Sequence, residues 1–261
     1  MTTTRYEVSH SVATITLDAP ARRNALSAEM LVEIQAHFNV AANDPRVRSV
    51  VLTHTGPVFC SGMDLTQADG STSREQTRGV ASGAQPVVAF PALLMQIWEF
   101  EKPVLARVAG KARAGGIGLI AACDIAISTP EADFGFTEVR LGLVPAVISV
   151  PVLRRMAPRA VLELFLTGET FGADRAREIG LINLVTEDID TELNRFTEML
   201  RLGEPNALAA TKALLRRNRG SLTMAEDFVA MAQLSAGYFE GPQAREGIAA
   251  FAERRRPSWA G

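Results

Sequence analysis

The chain is poor in residues that cross-link a fold or bind a metal. Among its 261 residues are only two cysteines, Cys60 and Cys123, which lie far apart in the sequence. Its three histidines, His10, His37 and His54, are isolated from one another. This pattern predicts neither a disulfide framework nor a zinc site, and no Ser-His-Asp spacing can be built around the histidines. We expect a fold without disulfide bonds or a bound metal, in a reducing compartment.

Net charge and long apolar runs are also scarce. The formal net charge is -2, which removes the global electrostatic argument for nucleic-acid binding, since such binding normally uses a strongly basic face. No window reaches the roughly 18 apolar residues that a membrane span needs. Residues 1–20 lack the basic start and apolar stretch of a signal peptide. We therefore predict a cytoplasmic protein without nucleic-acid or membrane partners, whose 47% hydrophobic content supports a buried core.

Strand and helix patterns alternate through most of the chain. Residues 12–17 alternate as a half-buried strand does, and Ser27 is a good N-cap for the apolar-periodic stretch that follows it. Valine-rich residues 47–53 then predict a buried strand, and similar short apolar runs recur at 103–108 and 125–128. This order predicts an α/β fold with parallel strand pairing.

Beyond about residue 190 the strand patterns stop and helix formers dominate. We predict a core with the active site over residues 1–190 and a helical oligomerisation region over residues 191–261. The apolar stripes of this region are broad for a terminal segment, which is typical of helices that also pack on another subunit. Residues 66–86 are rich in Ser, Thr, Gly and Gln and predict a mobile loop over a site.

Two segments combine glycine with the start of a helix: residues 59–65 (FCSGMDL) and residues 110–119 (GKARAGGIGL). Unpaired amides at a helix N-terminus attract an oxyanion, and glycine allows a ligand to approach the backbone closely. Tight turns or close helix packing explain such glycines equally well. The second segment lacks the ending of a phosphate loop and fits no dinucleotide-binding register.

Glu138 is the carboxylate that stands out. It lies between apolar neighbours in residues 134–145 (FGFTEVRLGLVP), where desolvation would raise its pKa toward the range useful for proton transfer. The alternative is structural, because Thr137 and Glu138 are also suited to opening a helix. Asp124 has a similar structural explanation, as a hydrogen-bonded residue at a helix end.

At these segments the sequence resembles the enoyl-CoA hydratase/isomerase (crotonase) family, and the resemblance covers essentially the whole chain. The shared motifs occur in the family's order: residues 20–26 (PARRNAL), 59–65, 102–104 (KPV), 110–118, 122–125 (ACDI), the Glu138 block, 166–169 (LTGE), Ala176 and 180–183 (GLIN).

The resemblance implies a spiral of strand-strand-helix repeats with a C-terminal helical trimerisation region, as a homotrimer or a hexamer. It implies a thioester carbonyl held by the backbone N–H groups of Met63 and Gly115, which stabilise an enolate. It places coenzyme A along Arg22, Arg23 and Ala25, with its adenine end near Phe251 and Arg254 of a neighbouring subunit. Coenzyme A would be part of the substrate, and no separate cofactor or metal is implied.

One position departs from the family pattern. Typical hydratases of the family hold a water between two glutamates, and Gly118 stands at the first position, which would leave an empty space there. Three hypotheses follow. Glu138 serves hydration of a 2-enoyl-CoA, and the run from 136 to 149 is similar to hydratases of 3-methylglutaconyl-CoA and related branched thioesters. Alternatively, Glu138 alone shuttles a proton in double-bond isomerisation. In the third hypothesis, the protein is a catalytically silent acyl-CoA binder.

Overall fold

A computed structural model describes residues 2–64, 86–217 and 224–260. The loop predicted at 66–86 lies outside the described residues, apart from Pro86, where a helix begins. No helix in the described ranges is long and apolar enough to cross a membrane.

The described strands form two sheets, and both contain parallel pairs. The strands are β1 (Thr4–Ser9), β2 (Val12–Leu17), β3 (Ser49–His54), β4 (Val58–Cys60), β5 (Val104–Val108), β6 (Lys111–Arg113), β7 (Ile125–Ser128), β8 (Asp133–Gly135), β9 (Thr170–Gly172) and β10 (Leu184–Val185). The larger sheet has the order β1-β2-β3-β5-β7-β10, and all its pairs except β1 with β2 are parallel. The smaller sheet has the order β4-β6-β8-β9, with β8 and β9 antiparallel.

Helices connect the strands and then continue alone toward the C-terminus. They are α1 (Ala28–Asn43), α2 (Pro86–Glu99), α3 (Gly115–Ala122), α4 (Ala146–Val152), α5 (Pro158–Thr167), α6 (Ala173–Glu178), α7 (Ile189–Leu202), α8 (Pro205–Arg216), α9 (Met224–Phe239) and α10 (Pro242–Ala252). In the described part of the chain, three short 3-10 turns lie at Pro20–Arg22, Glu138–Leu141 and Ser258–Ala260.

Local chemistry explains the main elements. The hydroxyl of Ser27 accepts a hydrogen bond from the Met30 amide at 3.2 Å, so it caps α1 as the sequence predicts. All six residues of β3 are buried, because neighbouring strands and packed layers cover both its faces. The predicted α/β fold with parallel pairing is confirmed.

Two details of the sequence interpretation were wrong. The sequence predicts an apolar helix over residues 119–122 after the second glycine segment, but the helix begins at Gly115, so Gly118 lies on α3 and not in a loop before it. The smaller sheet was not predicted, because its strands have only three residues each. Three residues are too few for a recognisable period. The sheet matters for the site, since β4 and β6 lead directly into the two glycine segments.

Candidate active site

The first glycine segment is fixed by pairing with the residues before α1. The Leu26 amide donates to the carbonyl of Gly62 at 2.8 Å, and the Asp64 amide donates to the carbonyl of Leu26 at 3.1 Å. Leu26 therefore binds the two residues that flank Met63, in an isolated parallel bridge. Because alternate residues of an extended strand present their N–H groups to opposite edges, the N–H of Met63 faces away from Leu26.

Gly62 makes this geometry accessible. Its φ of +95° is a conformation that residues with a side chain rarely adopt. A Cβ atom at Gly62 would lie 3.7 Å from the backbone nitrogen of Gly115. The two glycine segments, separated by about fifty residues of sequence, thus meet at their backbones.

The second segment presents the start of α3. Ile117 and Gly118 both donate to the carbonyl of Ala114, at 3.0 and 3.2 Å, whereas the amide of Gly115 has no acceptor among the described residues. Ala114 has φ +47° and ψ -113°, a strained conformation for a residue with a side chain. This conformation sets the orientation of the peptide that carries the Gly115 N–H. The amide is therefore a fixed donor at the positive end of a helix.

Glu138 is held at the first residue of a helical turn. Phe136, two residues earlier, is fully buried and packs edge-on against Phe165, with ring centroids 4.6 Å apart. On the other side, the Leu143 amide donates to the carbonyl of Glu138 at 3.0 Å. The structural explanation and the functional one are compatible, because Glu138 opens the turn and its side chain reaches the cavity described next.

The Glu138 carboxyl is poorly solvated. The side chain is half-buried, and its Oε2 atom is buried without a hydrogen-bond partner within the described ranges. Burial is the main cause that raises the pKa of Glu138 above its usual value of 4.5. An acid whose pKa lies closer to neutrality exchanges protons more readily at physiological pH.

A cavity of about 280 Å³ brings both glycine segments and Glu138 together. Its lining is largely apolar, and Glu138 is the only ionisable side chain among the described lining residues. The lining residues are Ser61, Gly62, Met63, Phe90, Ala114, Gly115, Thr137, Glu138, Leu141, Leu143, Val144, Pro145, Ala146, Val147 and Ile148. The cavity can therefore present two backbone donors and one proton-transfer group to a bound apolar molecule.

The empty space expected at Gly118 does not exist. A Cβ atom at Gly118 would lie 2.7 Å from Cγ2 of Ile148 and 3.5 Å from Cζ of Phe90. The missing side chain is replaced by hydrocarbon, which excludes a second carboxylate at this position unless the packing changes. Neither Ile148 nor Phe90 was singled out from the sequence, because an apolar residue on a predicted helix carries no sign of which cavity it lines.

Residues 22–25 lie beside the first glycine segment. The amide of Ser61 donates to the carbonyl of Arg23 at 3.1 Å, and the Arg22 guanidinium lies 3.7 Å from the Asp64 carboxylate. Arg22 and Arg23 are exposed and Ala25 is partly exposed. The predicted coenzyme A contacts at these residues are thus accessible from solvent and next to the segment that carries Met63.

Asn24 holds this segment in place and was missed as a site residue. It is fully buried, and both Arg23 and Asn24 have positive φ values of 53° and 50°. Its side-chain amide donates to the carbonyls of Thr55 and Val58 at 3.0 and 2.8 Å, and its Oδ1 accepts from the Ala19 amide at 2.8 Å. The signal available in the sequence was the asparagine of the PARRNAL motif, a residue type that tolerates a positive φ.

Phe251 and Arg254 do not line this cavity. Phe251 is 87% exposed on α10, and Arg254 is exposed just beyond the end of that helix. Their assignment to the coenzyme A site of a neighbouring subunit stays a prediction. Arg255 instead pairs with Glu246 at 2.7 Å within the same chain.

Comparison with known proteins agrees with the fold and with the motifs. The family model described as enoyl-CoA hydratase/isomerase matches residues 7–261. The enoyl-CoA hydratase EchA19 of Mycobacterium tuberculosis is 33% identical over 248 residues, covering 94% of this chain and 91% of the relative. The (E)-benzylidenesuccinyl-CoA hydratase of Thauera aromatica is 32% identical over 262 residues, covering 98% of each chain.

Solved structures also resemble this chain in fold. An enoyl-CoA hydratase/isomerase from Marinobacter aquaeolei superposes with a TM-score of 0.87 at 33% sequence identity, covering 99% of both chains. The resemblance inferred from the motifs and the crotonase-type fold that it implied are confirmed. The chain belongs to the enoyl-CoA hydratase/isomerase family.

Proposed function

We propose that the protein hydrates a 2-enoyl-CoA thioester through an enolate, with Glu138 as the acid–base side chain. The observation that carries this proposal is the convergence of Met63, Gly115 and Glu138 on one apolar cavity. The relatives described above, which are named as hydratases of CoA thioesters, support the same class of reaction.

The backbone donors act on the thioester oxygen. As a nucleophile adds to C3, an electron pair moves to this oxygen and creates an enolate. The N–H groups of Met63 and Gly115 are fixed before the reaction, so their hydrogen bonds strengthen as the charge develops. Where such donors have been removed one at a time from enzymes, the loss is about 3–4 kcal/mol of transition-state stabilisation.

Glu138 moves the proton. Its carboxylate accepts a proton from the attacking water while the water oxygen bonds to C3. The resulting carboxylic acid then returns a proton to C2 of the enolate, and the product is a 3-hydroxyacyl-CoA. One carboxyl group is sufficient, because the two transfers occur in sequence and leave it as it began. The raised pKa of Glu138 makes its carboxylate a stronger base, which favours the first transfer.

Isomerisation of a 3-enoyl-CoA is the second candidate, and the packing at Gly118 favours it. Ile148 fills the position where a second carboxylate would help to hold water. Removal of a proton from C2 and its return at C4 require a single base and no water. A silent acyl-CoA binder is less compatible with the site, since binding alone gives no reason for a desolvated carboxyl beside two amide donors.

A substrate panel separates these functions. Purified protein is incubated with crotonyl-CoA, 3-methylglutaconyl-CoA and 3-hexenoyl-CoA while the absorbance of the conjugated thioester is followed. We expect the absorbance of crotonyl-CoA to fall as water is added. A gain with 3-hexenoyl-CoA and no loss with the conjugated thioesters would identify an isomerase. Binding of all three without turnover would identify a silent binder.

The same panel tests the branched substrate that the sequence resemblance implies. The described lining residues supply no cation for an acyl carboxylate, so we expect crotonyl-CoA to be turned over faster than 3-methylglutaconyl-CoA. The opposite order would favour the branched, acidic substrate.

A further inference from the structure

Gly118 and Ile148 occupy one volume between α3 and α4. The Cβ atom of any larger residue at 118 would lie 2.7 Å from Cγ2 of Ile148 and 3.3 Å from its Cβ. Separations below about 3 Å between such carbons are prevented by repulsion, so a side chain at position 118 and Cγ2 of Ile148 cannot share this space unless the packing shifts. In this protein the side chain belongs to position 148.

The same isoleucine also faces the candidate active site. Ile148 is 3% exposed and lines the cavity that contains Glu138. Phe90, another lining residue, lies 3.5 Å from the Cβ position of Gly118. The wall formed by Phe90 and Ile148 is thus supported from behind by the backbone of α3. A β-branched side chain in a helix has one strongly preferred χ1 rotamer, so this wall is stiff.

We propose that Ile148, packed on Gly118, is a specificity-determining residue that limits the width of the apolar acyl group the site accepts beside the reacting carbons. This inference rests on the proposed function, because it assigns the cavity to the acyl group of a thioester. A stiff hydrocarbon wall offers no hydrogen bond and discriminates by size. Discrimination of this kind reaches about 10- to 200-fold for one methylene group.

The central experiment compares two thioesters in the wild-type protein and in one variant. We measure kcat/KM for crotonyl-CoA and for 3-phenylpropenoyl-CoA, which is wider at C3, in wild-type protein and in Ile148→Ala. The ratio of the wide substrate to the narrow one should rise about tenfold or more in Ile148→Ala, since the wall is removed.

Val152→Ala is the matched control. Val152 is a fully buried β-branched residue on the same helix, and it does not line the cavity. Truncation of Val152 removes packing contacts in the core and leaves the cavity wall unchanged. The ratio of kcat/KM for the wide thioester to that for the narrow one should therefore stay at the wild-type value. An equal ratio in both variants would overturn the proposal and leave Ile148 as a core residue only. Ile148→Val removes one terminal carbon and should shift the ratio in the same direction by less, which covers a failure of Ile148→Ala to fold.

The contact with Gly118 provides an independent test. Gly118→Ala should lower kcat/KM for crotonyl-CoA, because its new methyl group pushes Ile148 toward the cavity. Adding Ile148→Ala removes Cγ2 and should restore part of the loss, so the two changes should be less than additive. Strict additivity would contradict the shared volume.

Binding measurements distinguish a failure of the inference about Ile148 from a failure of the proposed function. If wild-type protein turned over no enoyl-CoA, the proposed function would fail. Dissociation constants for butanoyl-CoA and 3-phenylpropanoyl-CoA would still test the wall, with the same expected change in their ratio. If wild-type protein hydrates crotonyl-CoA but Ile148→Ala leaves both ratios unchanged, only the inference about Ile148 fails.

Discussion

The predicted core, residues 1–190, and the C-terminal helices α7–α10 differ in how they bury apolar residues. In the core, β3 is buried along its whole length and α1 buries five residues. In contrast, α8 buries none, α10 buries only Ala250, and Phe228 on α9 is 71% exposed. These core elements thus bury apolar side chains within one chain, whereas α8, α9 and α10 leave many of theirs exposed or partly exposed.

The C-terminal helices nevertheless attach to their own core, and they do so through polar contacts. Asp124 accepts a hydrogen bond from the Val104 amide at 2.8 Å and pairs with Lys212 of α8 at 2.6 Å. Arg48 near β3 donates to the carbonyls of Gly203 and Trp259 at 2.6 and 2.5 Å. These polar contacts help to position the helices, and the exposed apolar side chains of α8 and α9 remain available for the predicted contact between subunits.

The first prediction concerns chemistry confined to the core. Glu138→Gln should lower kcat by about 10²- to 10⁴-fold, the usual contribution of a positioned acid–base group. Acyl-CoA binding and the melting temperature should change little, because glutamine preserves the size of the side chain. Steady-state kinetics, calorimetric binding and a thermal melt measure these three quantities. Glu131→Gln, an exposed residue elsewhere in the core, is the control. Normal turnover in Glu138→Gln would reject Glu138 as the acid–base group.

The second prediction concerns the backbone donors. Gly62→Ala should reduce kcat by up to about 10²-fold, the lower range for the loss of one oxyanion donor. Gly62 has a positive φ, and the new Cβ would lie 3.1 Å from that of Ala114, so the backbone around Met63 must shift. Gly172→Ala is the matched control, because nothing lies within 4 Å of its added Cβ. Equal kcat values in the two variants would show that the Met63 amide is not required.

The third prediction tests whether the C-terminal helices are completed by other subunits. Phe228 lines an apolar groove of about 680 Å³ between α8 and α9. If this groove packs against another chain, Phe228→Ser should weaken self-association by about 10- to 100-fold, as burial of one aromatic side chain implies. Light scattering over a concentration series measures the effect. Val40→Ser, an exposed position on α1, should leave association unchanged. A wild-type protein of single-chain mass at every concentration would contradict the predicted trimer or hexamer.

The sequence predicts the two sides of the candidate active-site cavity unequally. The family motifs led to Met63, Gly115 and Glu138, because backbone donors and a buried acid depend on local sequence. The filling of the space beside Gly118 could not be predicted, since Ile148 reaches it from a different helix. Contacts between elements depend on how the helices cross, which no local pattern specifies.

Local sequence patterns are limited in the same way at the C-terminal helices. Their broad apolar stripes indicated an unsatisfied surface, and several of their large apolar side chains are exposed in the structure. A stripe carries no information about what covers it. The division at residue 190 and the subunit contacts therefore remain predictions, and the third experiment addresses the contacts directly.

The smallest expected effect is an opposite pH dependence of stability in the two regions. Burial raises the pKa of Glu138 in the core above 4.5, whereas Arg255 lowers the pKa of Glu246 in α10 to about 2. For Glu138, the folded state binds more protons than the unfolded state, so its contribution is fully present below pH 4.5 and is lost as pH rises through the raised pKa. For Glu246, the contribution is present above pH 4.5 and is lost as pH falls toward about 2.

Denaturant unfolding as a function of pH should therefore show Glu138→Gln gaining stability relative to wild type as pH rises, and Glu246→Gln losing it. The second change should be slight, because Glu246 and Arg255 form a solvent-screened pair. Parallel pH profiles in the two variants would show that burial and ion pairing do not distinguish these carboxyl groups.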